Sequence, residues 1–158
     1  MLPEQLHRPQ MSIIVIVGES GSGKSTFIRR YFNQPSVEAY VTVGIDFGRL
    51  QVDDQAIEFW EIAGFEKNNS FKRISEPFLA SHLQKIDLLF VVFSSSDPGS
   101  LSCSLKYIKW LQEHQCVVKE IQLVGNKSDL GIHPAYSATD CKFTNNKGIL
   151  QEDEHLKE

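Results

Sequence analysis

The chain has 158 residues, 41% of them hydrophobic, a length and apolar content suited to one domain around a single core. Its formal charge of -4 is spread through mixed acidic and basic residues, which argues against a surface that holds nucleic acid by neutralising phosphates. Three scattered cysteines, Cys103, Cys116 and Cys141, contain no C-x-x-C pair and point to free thiols in a reducing compartment, so the cytoplasm is the expected location.

Residues 1–11, with two prolines and no apolar stretch of signal-peptide type, read as a flexible extension ahead of one domain spanning 12–158. No apolar run approaches the ~20 residues that a spanning helix needs. Ser12 to Val17, SIIVIV, is a short β-branched run of the kind found in strands buried on both faces. Directly after it comes GESGSGKST: Gly18, Glu19, Ser20, Gly21, Ser22, Gly23, Lys24, Ser25 and Thr26. This is G-x-x-x-x-G-K-[ST] placed between a strand and a helix-competent run, the context in which the motif has physical meaning. Glycines let the backbone curl until its N–H groups converge on phosphate oxygens, and the helix start adds its partial positive charge. Lys24 supplies a full charge for the outer phosphates, and the Ser25 hydroxyl is placed to ligate Mg²⁺. A nucleoside di- or triphosphate is the expected ligand.

The helix opened by this loop runs from Ser25 to Asn33 and stops ahead of Pro35. VEAYVTVGIDFGRL and QAIEFWEI, joined through Asp53 and Asp54, read as a β-hairpin. A weaker helix over Ser70 to Gln84 is interrupted by Pro77. DLLFVVF (87–93) is the next buried strand; the stripe Leu101, Leu105, Ile108 and Leu111 then predicts an amphipathic helix whose apolar face lies on the sheet. EIQLVG (120–125) is the last clear strand. Together these elements predict an α/β fold, a three-layer sandwich around a mostly parallel sheet with one antiparallel edge strand.

Asn126-Lys127-Ser128-Asp129 follows that strand at its carboxyl end, where open α/β sheets hold ligands. A carboxylate accepts two hydrogen bonds from an N–H and an adjacent NH₂, which guanine presents and adenine does not. Asp129 suits that role, and the stem of Lys127 can lie along the purine. A buried carboxylate would reject the base that leaves it unpaired. The five histidines show neither i, i+4 spacing nor a cysteine partner, so a zinc site is not expected.

In that order, GESGSGKS, YVTVGIDF, WEIAGFE, VGNKSDL and YSATD resemble the small GTPases of the Ras superfamily, the Rab-like branch above all, over about Ile13 to Leu130. The resemblance implies a P-loop G domain, monomeric, that binds GTP or GDP with Mg²⁺ and presents two switch segments to effector and regulatory proteins. By similarity, Thr42 is the first-switch threonine that reaches Mg²⁺ and the γ-phosphate, and Gly64 offers its N–H to the same phosphate in the second switch. Glu61 stands where the family carries the aspartate that holds a Mg²⁺-bound water. Phe65 stands where the family has the glutamine that orients the attacking water, and a phenyl ring has no donor or acceptor for that task, so hydrolysis is expected to be slow.

Ser137, Ala138 and Thr139 resemble the segment that buttresses guanine, yet they come too soon after Asn126 for the helix that the family fits between. Either that helix is deleted or the match is accidental. The last run, GILQEDEHLKE, reads as a short polar helix with too few apolar residues to cover a sheet face, and it holds no cysteine for a prenyl anchor. Two other readings compete: a pseudo-GTPase that binds nucleotide without useful hydrolysis, and an ATP-using P-loop kinase or ATPase, which leaves Asp129 and the switch-like segments as coincidences.

Overall fold

The computed structural model describes residues 10–31, 45–62, 81–136, 142–144 and 150–151. In chain order these form β1 (Gln10–Gly18), α1 (Lys24–Tyr31), β2 (Ile45–Val52), β3 (Gln55–Ile62), β4 (Lys85–Ser94), α2 (Ser100–Glu113), β5 (Val117–Asn126), β6 (Lys142–Thr144) and β7 (Leu150–Gln151). They build one sheet in the order β2-β3-β1-β4-β5-β6-β7. Its central pairs, β3·β1, β1·β4, β4·β5 and β5·β6, are all parallel, while β2·β3 and β6·β7 are antiparallel.

Strand periodicity explains the layering. Along β1, Val15 and Val17 join Tyr107, Trp110 and Leu111 of α2, whereas Ile14 and Ile16 join Phe27 and Ile28 of α1. Successive side chains of one strand point to opposite faces, so a strand apolar at every position needs a cover on both sides. β4 repeats the pattern: Leu89 and Val91 face α2, Phe90 and Val92 face α1. The result is the three-layer sandwich expected from the sequence.

The hairpin has the expected register. Val52 pairs with Gln55 across Asp53 and Asp54, with Asp53 at φ 53°, and β2 is an antiparallel edge. Several boundaries differ from the sequence reading. β1 begins at Gln10 because β3 offers a backbone partner that far out, Gln10 beside Gln55 and Met11 beside Ala56, so these two residues are strand and not extension. Leu150 and Gln151, placed by the sequence reading in a last helix, pair as strand with β6, whose outer edge would otherwise present open backbone groups. Of the helix expected over 70–84, Ser81 and His82 are described and are helical, while Leu83 is fully buried beneath α2.

The predicted face of α2 is rotated. Leu105 is 38% exposed, while Ser104 and Tyr107 are completely buried. The inward row is Ser100, Ser104, Tyr107 and Leu111, spaced four, three and four residues as a helix face requires. Serines can point inward here because each finds backbone partners: Ser100 Oγ accepts the Ser94 N–H at 2.9 Å, and Ser104 is bonded as described below.

Candidate functional site

The site lies at the carboxyl ends of β1, β3, β4 and β5. β1 ends at Gly18, the chain curls through Glu19–Gly23, and α1 begins at Lys24. Two glycines permit the close packing. A Cβ on Gly18 would lie 2.1 Å from the Val92 carbonyl oxygen, and one on Gly23 would lie 2.1 Å from Asn126 Nδ2, with Gly23 at φ 89° besides.

Four of the loop's carbonyls are held by side-chain donors. Lys24 Nζ donates to Glu19 O at 3.0 Å; Asn126 Nδ2 donates to Ser22 O at 3.0 Å and to Gly23 O at 3.3 Å; Lys127 Nζ donates to Gly21 O. Because a peptide's N–H points opposite its C=O, fixing these carbonyls also fixes the adjoining amides. Among the described residues, no acceptor is bonded to the N–H groups of Gly21, Gly23 or Lys24. That concave array of donors at a helix start is an anion site.

Asn126 and Lys127 therefore tie the turn after β5 to the loop after β1. Lys127 takes a left-handed conformation at φ 60°, which turns its stem back across the loop, and Asp129 sits in the 3-10 turn Ser128–Leu130 that follows. Asp129 is exposed. The sequence reading of a buried carboxylate is corrected accordingly: its penalty for a mismatched base arises only when a base covers it.

Glu61, at the end of β3, is 3% exposed and accepts the Ser25 hydroxyl at 2.7 Å. Two hard oxygen ligands thus share one point beside Lys24, a donor set that fits Mg²⁺ completing its shell with phosphate and water. Burial lowers the Lys24 pKa below 10.5, and the carboxylates of Glu61 and Glu19 act against that shift. The ammonium is held in a place where only a strong counter-charge makes it comfortable. Thr42, Gly64, Phe65, Ser137, Ala138 and Thr139 lie outside the described residues.

The structure adds residues that no motif announced. Ser104 of α2 accepts the Glu19 N–H at 3.1 Å. Ser95, after β4, donates its hydroxyl to Asn126 O at 2.9 Å and to Gly131 O at 3.3 Å, and its carbonyl accepts the His133 N–H. Tyr136 stacks edge-on against Phe93 and donates to Asp97 O.

A curled amide loop between strand and helix, with an acid-bearing turn tied to it from a parallel strand two places along the sheet, defines a P-loop fold of the α/β class. The family model that matches the chain, over residues 13–150, is "Ras family". The chain belongs to the Ras family, and its relatives are Rab-like. It is 33% identical over 143 residues to "Ras-related protein Rab-11B" of Dictyostelium discoideum, covering 87% of this chain and 62% of that protein. It is 26% identical to "Ras-related protein Rab-25" of Mus musculus, over 87% of this chain and 64% of the relative, and 29% identical to "Ras-related protein RABA1c" of Arabidopsis thaliana, over 82% and 59%. The chain thus spans 59% to 64% of the length of these relatives. Among the described residues no helix is long and apolar enough to cross a membrane.

Proposed function

We propose that this chain is a guanine-nucleotide switch of the kind its family membership implies, working in vesicle traffic or signalling and hydrolysing GTP slowly. The observation that carries the reading is the double tie from Asn126 and Lys127 to the carbonyls of Gly21, Ser22 and Gly23, which joins a base-reading turn to a phosphate cradle. Asp129 would select guanine, the loop amides and Lys24 would hold the phosphates, and Ser25 with Glu61 would hold Mg²⁺. Thr42 and Gly64 would respond to the γ-phosphate and carry the change to effector and regulatory proteins.

The bound metal would supply charge neutralisation at the β- and γ-phosphates. Lys24 contributes a fixed charge that needs no reorganisation at the moment of reaction. Phe65 contributes nothing toward the attacking water, so the turnover rate should lie at or below the about 3–5 × 10⁻⁴ s⁻¹ of unassisted Ras-type hydrolysis. Single-turnover hydrolysis of labelled GTP is the test. Phosphate release above the protein-free control, accelerated about tenfold or more by Phe65→Gln, supports the slow enzyme. Release at the control level in both proteins supports the second reading, a nucleotide-bound interaction module, which Phe65 and the Glu61 replacement favour.

A further inference from the structure

The last registered pair of β1 and β4 is Gly18 with Val92. One residue further, where strand becomes loop, the Glu19 N–H does not continue the ladder onto β4. The hydroxyl of Ser104, reaching in from α2, stands between the strands: its oxygen accepts the Glu19 N–H at 3.1 Å and its proton goes to Val92 O at 3.0 Å. Ser104 is completely buried. A residue there gives up the burial that an aliphatic side chain would contribute, and gains only a group that donates and accepts at once.

Glu19 is also where the loop's other restraints converge. Its carbonyl accepts Lys24 Nζ at 3.0 Å and the Ser22 N–H at 3.2 Å. The peptide on one side of Glu19 is thus set by Ser104, and the peptide on the other side sets Lys24. Without the hydroxyl, Glu19 must either leave a part-buried N–H without its protein partner or sink toward Val92, and both displace the ammonium and the curl that follows it.

We infer that Ser104 is a positioning residue for nucleotide retention, acting from α2 through the Glu19 peptide on the phosphate loop. The inference rests on the guanine-nucleotide reading above. Its test uses the full chain with Ser104→Ala and two measurements: hydrogen exchange at the Glu19 amide in nucleotide-free protein, and release of a fluorescent GDP from protein loaded with Mg²⁺. The expected result is Glu19 exchange about tenfold faster and GDP release about fivefold faster, with amides of Leu89 and Val91 in β4 as protected as before. Ser104→Thr, which keeps the hydroxyl, should return both rates toward the parent's. Should Ser104→Ala not fold, Ser104→Cys puts a larger, weakly hydrogen-bonding thiol in place of the hydroxyl and is expected to accelerate both rates. Unchanged exchange and unchanged release in the folded variant overturn the inference, as does equal acceleration in Ser104→Thr. A parent protein that retains no GDP overturns the guanine-nucleotide reading and the inference with it; a parent that retains GDP with variants that match it overturns the inference alone.

Discussion

Lys24 is buried, with Glu61 and Glu19 opposing the cost of its burial. Its ammonium is buried, burial is the largest influence on its pKa, and the direction is downward from 10.5. A depressed lysine pKa means that the unfolded chain holds the proton more readily, so in nucleotide-free protein stability should rise as pH climbs from the folded pKa toward 10.5, and fall again as pH drops. Lys24→Met should flatten that slope, and so should GDP, whose phosphates would add to the counter-charge of Glu61 and Glu19; denaturant melts of the two proteins across the alkaline range check it. Ser22 poses a simpler case. It is 2% exposed and its hydroxyl bonds nothing among the described residues, which costs about 1–3 kcal/mol relative to a group that wants no partner. Ser22→Ala should therefore leave stability equal or raise it, seen as a higher denaturation midpoint with an unchanged slope; a clear loss would mean that the hydroxyl has an unrecognised partner.

At the scale of elements, the short arm Gly131–Tyr136 is fastened to the β4–α2 connection. The Tyr136 hydroxyl donates to Asp97 O and accepts the Leu101 N–H at 3.3 Å, while Ser95 binds both Asn126 O and Gly131 O. Tyr136→Phe keeps the ring on Phe93 and removes both hydroxyl bonds, so it should lower stability by about 1–3 kcal/mol, read from urea unfolding. The strands of this framework were legible because β1 and β4 carry unbroken apolar runs, Ile13 to Val17 and Leu88 to Phe93, the pattern of a strand covered on both faces. The face of α2 was misread for the converse reason. Leucine spacing identifies a helix, but two inward serines satisfied by backbone groups outcompeted Leu105 for the buried row, and hydropathy gives no weight to a hydrogen bond that tertiary structure supplies. The strand pairing at β7 was illegible for a related reason: two residues carry no period, and their partner edge exists only once β6 is in place.

At the scale of the molecule, the nucleotide cradle was readable because its chemistry depends on backbone conformation, which glycine at fixed spacings announces directly. What could not be read was how the cradle is fixed. Asn126 and Ser104 reach it from β5 and from α2, across 104 and 85 positions in sequence, and Ser95 in the loop after β4 in turn holds Asn126. The central claim is that these distant ties make one guanine-nucleotide site from two loops. Competition binding decides it most directly: with Mg²⁺ present, unlabelled GDP and ADP are titrated against fluorescent GDP on the full chain. Displacement by GDP at concentrations about a thousandfold or more below those needed for ADP is the predicted result, since a covered carboxylate left unpaired by adenine costs several kcal/mol. Equal displacement by the two nucleotides, or no binding of fluorescent GDP by folded protein, would contradict it.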